Sequence, residues 1–323
     1  MRLLQVIVPG PRTTVEDLGR RGAARWGLPA GGAFDPLALI AANRLVGNRD
    51  DDAGLEITLG GARLANDGDE PLALALTGAD CDARLVHGAA SMAVRPGVAV
   101  TCAPGDQLRL GHARSGARAW LAIAGGIAVP RVAGSRSTHL VAGLGGLDGR
   151  ALTRGDTLPI DLPQRPVPPA PARAPWCEPL PPAACMPLVL HVVPGPQQSA
   201  FRGDPLRALA DTVWRVRNDS DRTGVRLAPT DGEPPGALRG VAGIPPEGTT
   251  LGAIQVPPDG HPIVLGPDRP VTGGYAKPAL VAASDVGRLA LLRPGDTVRV
   301  ALLSLEEASL RAAERRAGLP AKP

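Results

Sequence analysis

Aromatic side chains are nearly missing: two Phe, four Trp and one Tyr make 2% of 323 residues. Any core must therefore be aliphatic, built from Leu, Val, Ile and Ala. Lysine is scarcer still. Of 35 basic residues only Lys277 and Lys322 are lysines, and a coding bias towards Arg, Ala, Gly and Pro accounts for most of that. An excess of one charge is lacking as well. The 35 basic and 31 acidic residues leave +4, with no basic run or acidic tail. A nucleic-acid or membrane-surface role thus has no electrostatic support. No apolar stretch reaches the roughly 18 residues a membrane span needs, and the N-terminus has no signal-peptide layout, so a soluble, cytoplasmic protein is expected. The four cysteines, Cys81, Cys102, Cys177 and Cys185, show no CxxC spacing and read as buried small hydrophobes.

Several catalytic signatures are absent too. Neither Lys follows a Gly, so there is no Walker A loop, and neither a GxSxG elbow nor an HExxH helix occurs. His87, His112, His139, His191 and His261 are dispersed without metal-ligand spacing, and no metal is expected. Lys277 lacks a Met-Lys biotin context, so no biotin is expected on this chain. Gly143 to Gly149 is rich in glycine but has no βαβ setting, and reads as a cluster of turns.

What is abundant is turn chemistry: 41 Gly and 36 Pro. From Gly78 to Gly126 the glycines recur about every ten residues, separating short apolar runs such as Leu72-Ala-Leu-Ala-Leu76 and Ala119-Trp-Leu-Ala-Ile123. That rhythm predicts an all-β barrel or sandwich with few helices. One helix is expected over Leu37 to Val46, with Asp35 as its cap and Pro36 in its first turn. Another is expected over Ser304 to Ala317, packing on a barrel or a partner. Between Pro163 and Pro187 ten of 25 residues are Pro, a segment expected to link two domains, 1–162 and 188–323. Leu4 to Pro11 is echoed by Leu190 to Pro196, and Pro104-Gly-Asp106 by Pro294-Gly-Asp296, at nearly constant offset. Two similar barrels in tandem would produce such echoes; chance Pro-Gly pairs are the alternative.

Polar segments rich in glycine remain as candidates for ligand contact, because glycine permits close backbone approach while Thr, Asp and Arg orient a ligand. They are Thr13 to Arg20, Gly31 to Asp35, Glu56 to Gly61, Thr77 to Asp80, Ala124 to Gly126, Gly134 to Thr138, Asn218 to Gly224, Ile254 to Pro257 and Thr272 to Lys277. Thr272-Gly-Gly-Tyr-Ala-Lys277 is the sharpest, joining the only Tyr to the only Lys inside the body of the chain. An ammonium there can balance a carboxylate or carbamate, or stabilise a developing oxyanion.

At Thr13-Thr14 to Gly19-Arg20, Gly31-Gly-Ala-x-Asp35-Pro36, Glu56-Ile-Thr-Leu-Gly and Thr272-Gly-Gly-Tyr275 the chain resembles the allophanate hydrolase subunit 2, or biotin-dependent carboxyltransferase, family. Leu121 to Ile127 and Gly134 to Thr138 extend the resemblance, which runs from residue 3 to about 311. It implies a mainly β fold of two tandem cyclophilin-like β-barrel domains. Members of the family include the C subunit of ATP-dependent 5-oxoprolinase, an antagonist of a sporulation-kinase inhibitor (KipA), and the carboxyltransferase part of urea carboxylase.

The resemblance implies lactam opening of 5-oxo-L-proline to L-glutamate, with the KipI-like B subunit and the A subunit of 5-oxoprolinase as partners. ATP would be bound with those partners, its phosphoryl group turning the lactam oxygen into a leaving group. The alternatives are carboxyl transfer from a partner's carboxybiotin to a urea-like nitrogen, and non-enzymatic sequestration of a KipI-like inhibitor. For the first activity Lys277 and Tyr275 would steady charge at the reacting oxygen, Arg222 would hold the carboxylate of a small anionic amide, and Gln255 would orient the amide. Asp221, Thr272, Gly273, Gly274, Asp35 and Glu56 complete the expected binding set. Three positions depart from the family's pattern: Glu16, Asp221 and Ala276 stand where Gln, Asn and Pro are usual. Asp221 is expected to blunt Arg222 by adding negative charge beside it.

Overall fold

A computed structural model describes residues 2–166 and 187–322, so most of the expected Pro-rich linker lies outside the described residues. These residues form two compact units, one of 2–21, 31–166 and 318–322, the other of 22–30 and 187–317. Each unit thus takes a short segment from the far side of the Pro-rich stretch.

The first unit begins with β1 (Leu3–Pro9), β2 (Arg12–Glu16), α1 (Pro36–Leu45), β3 (Gly54–Thr58) and β4 (Ala62–Asn66). There follow β5 (Leu72–Asp80), β6 (Arg84–His87), β7 (Ala90–Ala93) and β8 (Ala99–Cys102). Then come β9 (Gln107–Arg109), β10 (Ser115–Ile123) and β11 (Thr157–Pro159). They sort into two antiparallel sheets, ordered β11-β1-β4-β9-β6-β7 and β2-β3-β10-β5-β8.

The alternation in β5 explains how its sheet is covered on both faces. Leu72, Leu74 and Leu76 join the large core with Leu4, Val6, Leu64, Leu121 and Ile123, while Ala75 faces the other way, against Ala42, Leu45 and Val46 of the α1 segment. Period-two spacing sends the large residues inward, and the small ones let the helix approach closely. Each buried Leu contributes about 1.5–3 kcal/mol relative to exposure. The helix starts where its sequence predicts: the Asp35 carboxylate accepts from the Leu37 and Ala38 N–H groups at 3.1 and 3.3 Å.

In the second unit are β12 (Leu188–Pro194), α2 (Pro205–Asp211), β13 (Trp214–Val216), β14 (Gly224–Pro229) and β15 (Glu247–Gly248). After them lie β16 (Ala253–Val256), β17 (Ile263–Leu265), β18 (Thr272–Gly273) and β19 (Ala276–Val281). The unit ends with α3 (Val286–Ala290), β20 (Thr297–Leu302) and α4 (Leu305–Ala317). Seven strands close into a barrel, β12-β19-β16-β17-β14-β13-β20, and β15 and β18 form a separate ribbon. Closure removes the sheet edges. The fold is mainly β with few helices, as the turn rhythm indicates.

Two details depart from the sequence reading. The α2 helix was not expected, although Asp204-Pro205 repeats the Asp35-Pro36 start and the Asp204 carboxylate accepts from the Arg207 N–H at 2.9 Å. The last helix, α4, has its capping box, with Ser304 and Glu307 each accepting from the other's N–H. None of its residues is buried, so it does not pack deeply on the barrel, and Leu305 and Leu310 are exposed.

Part of the tandem echo is a turn type. Asp106 and Asp296 both accept, at 2.8 Å, from the N–H three residues earlier. Asp156, after Gly155 in the first unit, makes the same bond to Thr153. Because this turn recurs within one unit, it is weak testimony to duplication. Gly143 to Gly149 folds as turns and isolated bridges, in keeping with its glycine content.

Candidate functional site

Lys277 sits at a break in the barrel's register. Ile254 faces Ala279 and Val256 faces Ala276, so Lys277 and Pro278 together oppose the single residue Gln255. This is a β-bulge, and Pro278, lacking an N–H, suits the position where ladder bonding is interrupted. The loop after β12 closes over the bulge. Gly195 donates to the Pro278 carbonyl at 2.7 Å, and Gln197 N–H to the Lys277 carbonyl at 3.3 Å. A Cβ at Gly195 would collide with the Lys277 carbonyl, so only glycine lets the loop lie this close.

The result is a buried ammonium. Lys277 is 4% exposed, and its Nζ lies 2.8 Å from Glu247 Oε1 and 3.3 Å from the Tyr275 carbonyl. Gln197 bridges the pair: its Nε2 donates to Glu247 at 2.8 Å and its Oε1 accepts from the Lys277 N–H at 3.1 Å. Lys277, then Gln197, hold the Glu247 carboxyl below the usual carboxylate range by hydrogen bonding. Glu247 pairs in register with Gly273. Opposite the bulge Gln255 is 4% exposed, and its buried Nε2 has no acceptor among the described residues. That amide lies where a Cβ on Gly273 would stand. Gly274 accepts from the Ile244 N–H at 2.8 Å, Thr272 pairs with Gly248, and the Tyr275 side chain is exposed.

Thus Lys277, Tyr275, Gln255, Thr272, Gly273 and Gly274 fall in one neighbourhood. Glu247 and Gln197, which sequence reasoning passed over, complete it. Only the Pro194-Gly195-Pro196 segment hinted at the Gln197 loop; nothing in sequence marks Glu247.

Arg222 and Asp221 are placed differently. The Arg222 guanidinium, 3% exposed, forms a two-bond fork with Asp268 at 2.8 and 3.0 Å. Asp268 N–H in turn donates to the Arg222 carbonyl. This fork ties residue 268 to the Arg222 turn, and the acceptor expected from a substrate is already supplied by the protein. The Asp221 carboxylate turns to its own loop. It accepts from the Thr223 and Gly224 N–H groups, an Asx-type turn, whereas Asp268 pairs with the Arg222 guanidinium.

Asp35 and Glu56 belong to the first unit and to each other's surroundings. Glu56, 1% exposed on β3, accepts from Phe34 N–H at 2.8 Å and Trp120 Nε1 at 3.1 Å, and lies 3.4 Å from Arg118 Nε. The Arg118 guanidinium also stacks over Phe34, 4.7 Å from the ring centre. The segment Gly31 to Asp35 is pinned to the sheet by this network. Thr13 to Arg20 and Gly134 to Thr138 likewise meet at Asp17. Its carboxylate accepts from Ser135 Oγ at 2.6 Å, Ser137 Oγ at 2.7 Å and Arg136 N–H at 2.6 Å. Asp17 borders a cleft of about 580 Å³ shared with Arg21, Arg49 and Arg131. Cys81 and Cys102 are buried, and burial pushes the Cys102 thiol up to about 12. Among the described residues no cluster of three or more His, Cys, Asp or Glu has the form of a metal site, and no helix is long and apolar enough to cross a membrane.

Known proteins share this sequence and fold. The carboxyltransferase domain family, subdomains A and B, matches residues 26–302. The C subunit of the Escherichia coli 5-oxoprolinase is 36% identical over 95% of this chain and 93% of its own length. The urea amidolyase of Lachancea kluyveri is 31% identical over 94% of this chain, which spans only 17% of that protein. The crystal structure of the K. lactis urea amidolyase superposes with a TM-score of 0.82 at 30% identity, over 98% of this chain and 20% of that one. The chain belongs to the family of carboxyltransferase domains built from subdomains A and B.

Proposed function

We propose that the chain is the C component of an ATP-dependent 5-oxoprolinase, opening the 5-oxo-L-proline lactam to L-glutamate with the A and B subunits. One observation carries this reading: a bulge sets Lys277, whose ammonium is buried, across the ladder from Gln255, in a chain 36% identical over 95% of its length to a 5-oxoprolinase C subunit. In this reading Lys277 counters negative charge on a substrate carboxylate or on the reacting oxygen, where burial strengthens the interaction. Gln255 Nε2, with no acceptor among the described residues, offers an N–H to a carbonyl oxygen. Backbone of Thr272 to Gly274 lines the approach, and the exposed Tyr275 ring is available to a ligand there. Arg222, committed to Asp268, takes no substrate role.

In this reading ATP would be bound with the partner subunits, and its phosphoryl group would make the lactam oxygen a leaving group. The test is reconstitution with the A and B subunits, with ATP-dependent glutamate release as the readout. A complex that binds but never releases glutamate from 5-oxoproline refutes the assignment and favours a sequestering role. Likeness to the urea amidolyases supports a second reading, carboxyl transfer to a urea-like nitrogen. Inhibition by avidin would select it, since lactam opening needs no biotin.

A further inference from the structure

The Lys277 ammonium is buried, yet the carboxylate that neutralises it is not: the two side chains are 5% and 43% exposed. Glu247 stands on β15, a two-residue ribbon strand whose residues are both exposed, outside the closed barrel that carries Lys277. The ribbon is tied at few points: its register with β18, Ile244 N–H to the Gly274 carbonyl, and Thr249 to the Pro270 and Val271 carbonyls. A buried ammonium requires an anion within reach, but any carboxylate satisfies that requirement. Exchange of one carboxylate for another keeps the charge neutralised in both states, and the released Glu247 is rehydrated at the surface. Gln197 suits such an exchange. Its Oε1 is anchored on the Lys277 N–H, so its Nε2 stays beside the ammonium whichever carboxylate lies there. The group now in place is, moreover, a glutamate side chain.

We propose that Lys277 Nζ and Gln197 Nε2 form a carboxylate subsite in which Glu247 is a displaceable internal stand-in for the carboxylate of a small glutamate-like ligand. This rests on the ligand-binding reading of Lys277 given above. If the stand-in is seated about nine-tenths of the time, removing it tightens ligand binding about tenfold.

Calorimetric titration of the full chain with 5-oxo-L-proline and, separately, L-glutamate tests this on wild type, E247Q, E247A and K277M, each checked for folding by thermal melting. Both Glu247 variants should gain about tenfold in affinity, and K277M should lose binding. The scarcity of lysine supplies a second readout, acetylation by acetic anhydride followed by mass spectrometry. Lys322, 74% exposed, serves as the internal reference. Relative to Lys322, Lys277 should be acetylated several-fold faster in E247Q than in wild type, and either carboxylate should restore its protection. Equal or weaker binding in both Glu247 variants, with binding lost in K277M, overturns the stand-in and leaves the Lys277 reading standing. Unchanged binding in K277M overturns both. If no form gives measurable heat, acetylation decides: protection of Lys277 by carboxylate in E247Q supports the subsite, and its absence overturns it.

Discussion

Replacing Glu56 by Gln separates a scaffold role from a substrate role. The carboxylate is 1% exposed, accepts from Phe34 N–H and Trp120 Nε1, and forms an ion pair with Arg118, whose Nε lies 3.4 Å away. An amide of the same shape keeps one acceptor oxygen and turns an NH2 towards a group that is itself a donor. It also removes the negative charge that faces the 6% exposed Arg118 across 3.4 Å. Breaking a buried pair from one side costs about 3–5 kcal/mol, and for a chain of this size each kcal/mol lowers the melting point by about 2–4 °C. E56Q is therefore expected to melt about 10 °C lower. The double variant E56Q/R118M removes both charges and should recover a large part of that loss, because the amide NH2 no longer faces a cationic donor. Differential scanning fluorimetry and urea titration of the four corners of this cycle measure it. A loss below about 1 kcal/mol in E56Q, or a double variant no more stable than the single, refutes the reasoning. Below its melting point E56Q in the reconstituted complex should keep the wild-type KM for 5-oxoproline, and a large rise would return Glu56 to the binding set.

K277M in the reconstituted complex should lower ATP-dependent glutamate release by about 10²–10³-fold, and an unchanged rate would remove the charge-stabilising role. G273A should destabilise by about 1–3 kcal/mol, because its methyl group meets the Gln255 amide, and Q255A in the same chain should relieve it. A hydrogen bond from Arg44 holds the Asp50 carboxyl below its ordinary value. The pair's stabilisation is thus present above about pH 4 and lost as the pH falls through the folded-state value. R44M should flatten the acid limb of the melting-temperature profile, and identical limbs would count against the pair. Because the Cys102 thiol is pushed up to about 12, iodoacetamide at about pH 8 should leave it unmodified in the native protein, as read by peptide mapping.

Local chemistry was legible in the chain wherever one segment decides its own structure. Asp35-Pro36 starts a helix because the cap and the fixed φ act within three residues, and Ser304 to Glu307 closes its box in the same way. The glycine rhythm and the alternation in Leu72 to Leu76 express strand period and burial directly. Composition also singled out Thr272 to Lys277, through the only Tyr and the one Lys within the body of the chain, and that Lys is buried in the fold.

Partnership across the barrel was not legible, because ion pairs and bulges are settled by which strands become neighbours. Asp268 lies 46 residues from Arg222, and nothing local distinguishes it from the other acidic residues, so the fork between them does not show in the sequence. Glu247 reaches Lys277 only because the ribbon places it there, and Gln197 only because Gly195 lets its loop cross β19. Sequence alone thus determined the β character, the helix caps and the residue types available for chemistry. Tertiary packing decided which charges are buried and what neutralises them, since desolvation and Coulomb attraction depend on distances between segments far apart in the chain.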